Sequence, residues 1–102
     1  MELKTQKQGD VLHFSLAGLV DEQGARLLKD HFEAIEPHSI KEIVLDCAAV
    51  TFIGSAGIGK LLVLYNRVAK NSVKIRLINL HREILENFKS MKLDQLFSLS
   101  ES

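Results

Sequence analysis

The feature that most restricts the fold of this chain is a regular exchange between two hydrophobic periods along only 102 residues. Apolar runs typical of β-strands are followed by stretches in which apolar residues recur at helical spacing. The predicted order is strand, strand, helix, strand, helix, strand, helix. Strands separated by single helices imply right-handed crossovers, so we predict a single small α/β domain over residues 1–102, with a mixed sheet of about four strands and helices packed on it.

Turn and capping residues set the boundaries of several elements. Gly9–Asp10 separates the first two strand-like runs, as in a β-hairpin. Asp21 is a suitable N-cap for a first amphipathic helix, which Pro37 prevents from continuing. Apolar residues at 84–88 indicate a third helix. Those at 93–97 indicate a final turn or short helix before a polar tail.

The segment 43–62 contains the predicted central strand and second helix. IVL at 43–45 shows no alternation, which predicts a strand covered on both faces and ended by Asp46. VTFI at 50–53 either extends this strand or forms a loop. An apolar stripe at helical spacing then predicts a second helix that begins near Ser55.

Charge and composition exclude several functions. Thirteen basic residues balance thirteen acidic ones, and without a basic cluster we expect no nucleic-acid partner. Cys47 is the only cysteine and is interpreted as a buried reduced thiol. No signal-peptide core or membrane-spanning apolar run is present in the sequence. A cytoplasmic protein without direct membrane insertion is therefore expected.

The segment FIGSAGIGKLL at 52–62 resembles the spacing of a phosphate-binding P-loop. Gly54, Gly59 and Lys60 occupy the G-x-x-x-x-G-K positions. The next residue is Leu61, which offers no oxygen to the magnesium ion that a P-loop needs. A nucleotide-binding enzyme is therefore kept only as an alternative, and no cofactor is expected.

Ser55 has two readings at the predicted start of the second helix. Its hydroxyl either caps the helix or marks a site for a bound or covalent phosphate. Glycines beside it are expected to let the chain turn tightly and let another molecule approach the backbone. The four histidines are dispersed, without ligand spacing to cysteine or carboxylates. We therefore expect neither a metal site nor catalytic residues.

Two aspartates have a structural and a functional interpretation. Asp21 is most simply a helix cap, and Asp46 can bond loop amides at the end of its strand. Both side chains can instead surround the Ser55 segment, because strand ends and helix starts meet at one edge of an open α/β sheet.

Three segments resemble the STAS domain, the family of bacterial anti-sigma factor antagonists and of the cytoplasmic ends of sulphate transporters. The segments are LAGLVD at 16–21, IVLDCAAVTFIGSAGIGKLL at 43–62 and VKIRLINL at 73–80. Their order and spacing cover nearly the whole chain. The resemblance implies a STAS-like fold and a non-enzymatic protein that binds a partner.

In the signalling branch of this family, a serine kinase that is also the anti-sigma factor binds the antagonist and phosphorylates it. A serine phosphatase restores the unmodified form. The phosphoacceptor precedes the glycine of a D-S-(S/T)-G motif, which falls on Gly54, Ser55, Ala56 and Gly57. The acceptor position is therefore Ala56, which has no hydroxyl.

Three interpretations follow from this departure. Ser55 is the acceptor one position early, or the protein binds a partner without being switched. Alternatively, the chain is a non-phosphorylated STAS subunit of a membrane transport system, beside a permease or an ATPase. The predicted partner-binding residues are Asp21, Asp46, Gly54, Ser55, Ala56, Gly57 and Lys60. Lys60 is expected in the first helical turn, on a second stripe with Val63, Leu64 and Arg67. The two apolar residues of this stripe either form an exposed pair that docks a partner or belong to a partly covered outer face.

Overall fold

The computed structural model describes all 102 residues and contains five strands, three α-helices and three short 3₁₀ turns. The strands are β1 (Glu2–Gln8), β2 (Val11–Val20), β3 (Glu42–Ile53), β4 (Lys74–Leu80) and β5 (Ser98–Glu101). The helices are α1 (Glu22–Glu33), α2 (Ser55–Val68) and α3 (Arg82–Ser90). The predicted α/β class and order of the first seven elements are confirmed, and 50–53 extends β3.

The five strands lie side by side in their chain order. β1 and β2 form the predicted antiparallel hairpin, with Gly9 at φ 60° in the turn, and every later pair is parallel. β5 was not predicted, because three of its four residues are exposed and its only apolar residue is Leu99. The segment 93–97 contains the expected short turn, a 3₁₀ turn at Leu93–Gln95.

The helices cover one face of the sheet. Each helix joins two adjacent parallel strands, and right-handed crossovers place all three helices on the same side. On β3, Ile43 and Leu45 are fully buried against the helices, whereas Asp46 on the opposite face is only half-buried. All three residues at 43–45 are nevertheless buried, as predicted for a central strand covered on both faces. Val44 lies on the face opposite the helices, between its register neighbours His13 and Arg76.

A single apolar core joins the sheet to the helices. Phe14 of β2 packs edge-on against Phe32 of α1, with ring centroids 5.6 Å apart. Cys47 is buried in this core as a free thiol, as predicted. Burial, and to a smaller extent the charge of Asp46, raises the pKa of the Cys47 thiol to about 12. None of the helices has the length and apolar character needed to cross a membrane.

Arg67 fastens α2 to the end of α1. Its guanidinium donates hydrogen bonds to the carbonyl oxygens of Glu33 at 3.0 Å and Ile35 at 2.8 Å. These carbonyls lie where α1 has ended, four residues before Pro37, and carbonyls at a helix terminus have no partner within the helix. The contact therefore helps to fix the position of α2 relative to the end of α1.

We predict that Arg67→Met lowers the free energy of unfolding by about 1–3 kcal/mol, because the carbonyls of Glu33 and Ile35 lose a charged donor. Arg82→Met is the matched control, since Arg82 is largely exposed and forms only a surface ion pair with Glu101, worth about 0–1 kcal/mol. Urea unfolding of both variants measures the difference. Equal stability losses would contradict the structural role of Arg67.

Candidate functional site

All three helices begin at the edge where the parallel strands end, and two of these starts lie next to each other. The amide of Gly54 donates to the carbonyl of Val20 at 3.0 Å, which joins the end of β3 to the end of β2. Asp21 follows Val20 directly and caps α1. The structure therefore brings Asp21 close to the segment Gly54–Gly57, as expected. We call this region the Ser55 edge.

The P-loop interpretation is wrong, because the segment is not a loop. Residues from Ser55 onward are already helical, so Gly57 and Gly59 lie inside α2. None of the three glycines adopts positive φ, and the expected tight turn is absent. Lys60 lies in the second helical turn rather than the first and is half-buried.

Ser55 is not the N-cap of α2. Gly54 occupies that position in an extended conformation, and no side chain caps the helix. Ser55 is the first helical residue and is exposed. Ala56 follows it, half-buried. The cap interpretation of Ser55 is therefore wrong, and its hydroxyl is accessible for contact or modification.

The start of α2 differs electrostatically from the other two helix starts. Helix geometry leaves the first amides without intrahelical acceptors. In α1 the carboxylate of Asp21 accepts from the amide of Gly24 at 2.9 Å, and Glu22 adds a negative charge. α3 carries Glu83 in its first turn. α2 has neither a capping side chain nor an acidic residue there, so no residue of α2 itself compensates the positive end of its dipole.

The carboxyl group of Asp21 is held in its charged form. The hydrogen bond from the Gly24 amide is the largest cause that lowers the Asp21 pKa below its ordinary value of 3.8. Desolvation is the next largest effect and raises the pKa, whereas the backbone amides of Asp21 and Gln23 and the positive N-terminus add smaller contributions that lower it. Asp21 thus supplies a fixed negative charge beside the uncapped end of α2.

Gly57 lets α2 sit close to the strand ends. A Cβ at this position would lie 2.6 Å from Cγ1 of Val20 and 3.3 Å from Cγ2 of Ile53. A Cβ at Gly59 would meet nothing within 4 Å. At Gly54 it would approach only the end of the Phe52 ring, at 3.1 Å. Close packing therefore requires glycine only at position 57.

Two large apolar side chains at the Ser55 edge were not predicted. Leu19 and Phe52 are register partners on β2 and β3, and they are 52% and 50% exposed. The alternation of β2, with Phe14, Leu16 and Val20 buried, was a signal that Leu19 points outward. Phe52 had no such signal, because Thr51 and Phe52 are both exposed where the strand register shifts.

The structure does not bring Asp46 to this edge. β3 continues for seven residues beyond it, roughly 20 Å of strand, so the prediction that Asp46 ends the strand is wrong. Its carboxylate accepts from the Ala48 amide at 3.0 Å and from the Asn79 side chain at 3.1 Å. Asp46 therefore stabilises the point where β4 separates from β3.

Comparison with known proteins gives a family and a set of similar folds. The family model of the STAS domain matches residues 2–102. An anti-sigma factor antagonist from Mycobacterium paratuberculosis is similar over 99% of this chain and 86% of its own, with 23% identity and a TM-score of 0.85. The Bacillus cell fate determinant SpoIIAA in its phosphorylated form has 15% identity and a TM-score of 0.77, covering 96% and 90%.

A transport protein has a similar fold as well. The sulfate transporter family protein from Wolinella succinogenes has 16% identity and a TM-score of 0.77. The match covers 90% of this chain and 77% of the Wolinella chain. At these identities the neighbours establish the fold, and they include both a signalling and a transport context.

We predict opposite stability effects for two glycine substitutions in α2. Gly57→Ala places a methyl group against Val20 and lowers the free energy of unfolding by about 1–3 kcal/mol. Gly59→Ala meets no atom and raises it by about 0.5–1 kcal/mol through helix propensity. Chemical denaturation followed by circular dichroism measures both. A neutral or stabilising effect of Gly57→Ala would show that α2 does not pack closely against Val20 and Ile53.

Proposed function

The chain belongs to the STAS domain family, and we propose that it is a regulatory binding protein of the anti-sigma factor antagonist type. In this proposal it acts without catalysis, in the cytoplasm, by binding a kinase-type anti-sigma factor and thereby controlling a sigma factor. The Ser55 edge is the contact surface. A phosphatase that acts on serine completes the cycle if the protein is switched.

The observation that carries the proposal is the exposure of an uncapped helix start beside two apolar side chains. Ser55 is exposed, and Leu19 and Phe52 each expose about half of their surface. Interfaces commonly combine apolar contacts with nearby polar groups. A partner that covers the two apolar side chains meets the free amides of α2 and the charge of Asp21 in the same contact.

Phosphate on Ser55 would change this surface without changing the fold. It would add nearly two negative charges and three acceptor oxygens. The uncapped amides and positive dipole end of α2 favour an anion at that position. A partner already docked on Leu19 and Phe52 would meet the new charge inside its interface. Ser55 is therefore the phosphoacceptor that we propose, since Ala56 has no hydroxyl.

A second candidate is a STAS subunit that steadies the ATPase or permease of a transport system. Two observations favour it: alanine at the family's acceptor position, and the similar fold of the sulfate transporter family protein. In this case the same edge binds a partner constitutively. Phosphorylation then has no role.

The proposed function predicts a stable complex between the full chain and a kinase-type anti-sigma factor encoded in the same genome. Pull-down followed by native mass spectrometry detects it, with the permease and ATPase proteins of transport systems as parallel baits. Phe52→Asp should abolish the complex, because it places a charge in the apolar contact. Met91→Asp, an exposed apolar position outside this edge, is the matched control.

A complex with transport proteins alone would support the second candidate and refute the first. Retention of the anti-sigma complex by Phe52→Asp would remove the Ser55 edge as its contact surface. Failure to bind any of the candidate anti-sigma kinases would end the antagonist proposal.

The phosphorylation proposal has its own test. With the cognate kinase and ATP, tandem mass spectrometry should find phosphate on Ser55 and none on the Ser55→Ala variant. Ala56→Ser restores the acceptor position of the family motif and should gain a second phosphorylation site. Ser100→Ala, an exposed serine on β5, should leave phosphorylation unchanged. Phosphate confined to other serines would contradict Ser55 as the acceptor.

A further inference from the structure

A second surface of distinct chemistry lies along the outer side of α1 and α2. It is a groove lined by Lys29, Phe32, Glu33, Lys60, Val63 and Arg67. We call it the cationic groove. Val63 lies eight residues beyond Ser55, about 12 Å along the helix axis, so most of this groove is separate from the Ser55 edge.

The groove concentrates positive charge in a chain that is neutral overall. Three cationic side chains and one carboxylate line it, whereas the whole sequence has equal numbers of basic and acidic residues. Arg67 donates two hydrogen bonds to the carbonyls of Glu33 and Ile35 but remains positively charged. Neither of the two ion pairs in the structure involves Lys29 or Lys60. Both ammonium groups therefore remain available to an acidic partner.

An apolar contact point lies among these charges. Val63 is 60% exposed, the most exposed large apolar side chain in the chain, while its neighbour Leu64 is fully buried. The expected pair of exposed apolar residues on this stripe is thus reduced to Val63. The groove has a volume of about 220 Å³, below the roughly 300–1,000 Å³ of a small-molecule pocket. A groove of this size accommodates single side chains of a partner protein rather than a small molecule.

The direction of the helices favours a helical occupant. α1 and α2 both begin at the edge where the strands end and return along the same face of the sheet, so they lie side by side in the same direction with a furrow between them. Such furrows accept the ridge of a third helix, and an amphipathic helix in a groove is a common mode of peptide recognition.

We infer that the cationic groove binds an acidic amphipathic helix of a partner protein. An apolar side chain of that helix covers Val63, and carboxylates on either side of it pair with Lys29 and Lys60. This surface is additional to the Ser55 edge. Binding at either surface does not require the other.

The test titrates the full chain with a synthetic acidic amphipathic peptide of about 18 residues, long enough to form a helix. Leucines form one face of this peptide and glutamates flank them. The control peptide has lysine at every glutamate position. Calorimetry measures affinity, and methyl NMR spectra locate the contact. The acidic peptide should bind, shift the Val63 methyl signals and weaken as salt increases, while the lysine peptide should not bind.

Matched variants assign the binding to the groove. Lys29→Glu should weaken the acidic peptide about fivefold or more, because an attraction becomes a repulsion. Lys89→Glu makes the same charge change on exposed α3 and should leave affinity unchanged. Ser55→Ala should also bind normally, which separates this inference from the proposed function. No binding, equal binding of both peptides, or equal effects of the two lysine variants would overturn it.

Discussion

The close contact between α2 and the ends of β2 and β3 is the constraint on which the Ser55 edge depends. Gly57 supplies it, since any larger residue would collide with Val20. The Val20 carbonyl holds the Gly54 amide one turn earlier. These two contacts fix the axis and the first residue of the helix. The exposure of Ser55 follows from them, because the side of α2 that faces the sheet is already filled at Gly57.

The two neighbouring helix starts differ in how their first backbone amides are capped. α1 is closed by the carboxylate of Asp21, which accepts from its first turn. The N-cap of α2 is Gly54, which has no side chain to accept such a bond. The Cβ of an aspartate, which the family motif carries at this position, would lie 3.1 Å from the half-exposed Phe52 ring and 3.7 Å from the Val20 carbonyl oxygen. Packing therefore does not demand glycine at 54, and its presence leaves the amides of α2 open.

Local patterns predicted the parts of the fold that local interactions determine. Asp21 was found as a cap, and the apolar stripe placed the start of α2 at Ser55, because both depend on residues within one or two turns. β5 was not predicted, because it forms by pairing with a strand that lies far away in sequence. For the same reason the exposure of Phe52 could not be predicted: it arises from a register shift between β2 and β3.

In the proposed function, a charge added to Ser55 would weaken partner binding strongly because of where the apolar groups lie. Burial of Leu19 and Phe52 stabilises a complex only if the partner excludes water from them. In the same dry contact an unpaired phosphate is costly, since desolvation penalises a charge that finds no partner. A phosphate on Ser55 can draw on the α2 amides when the protein is free. If the protein is switched as proposed, this modification would stabilise the free protein and destabilise the complex, and both effects would weaken binding.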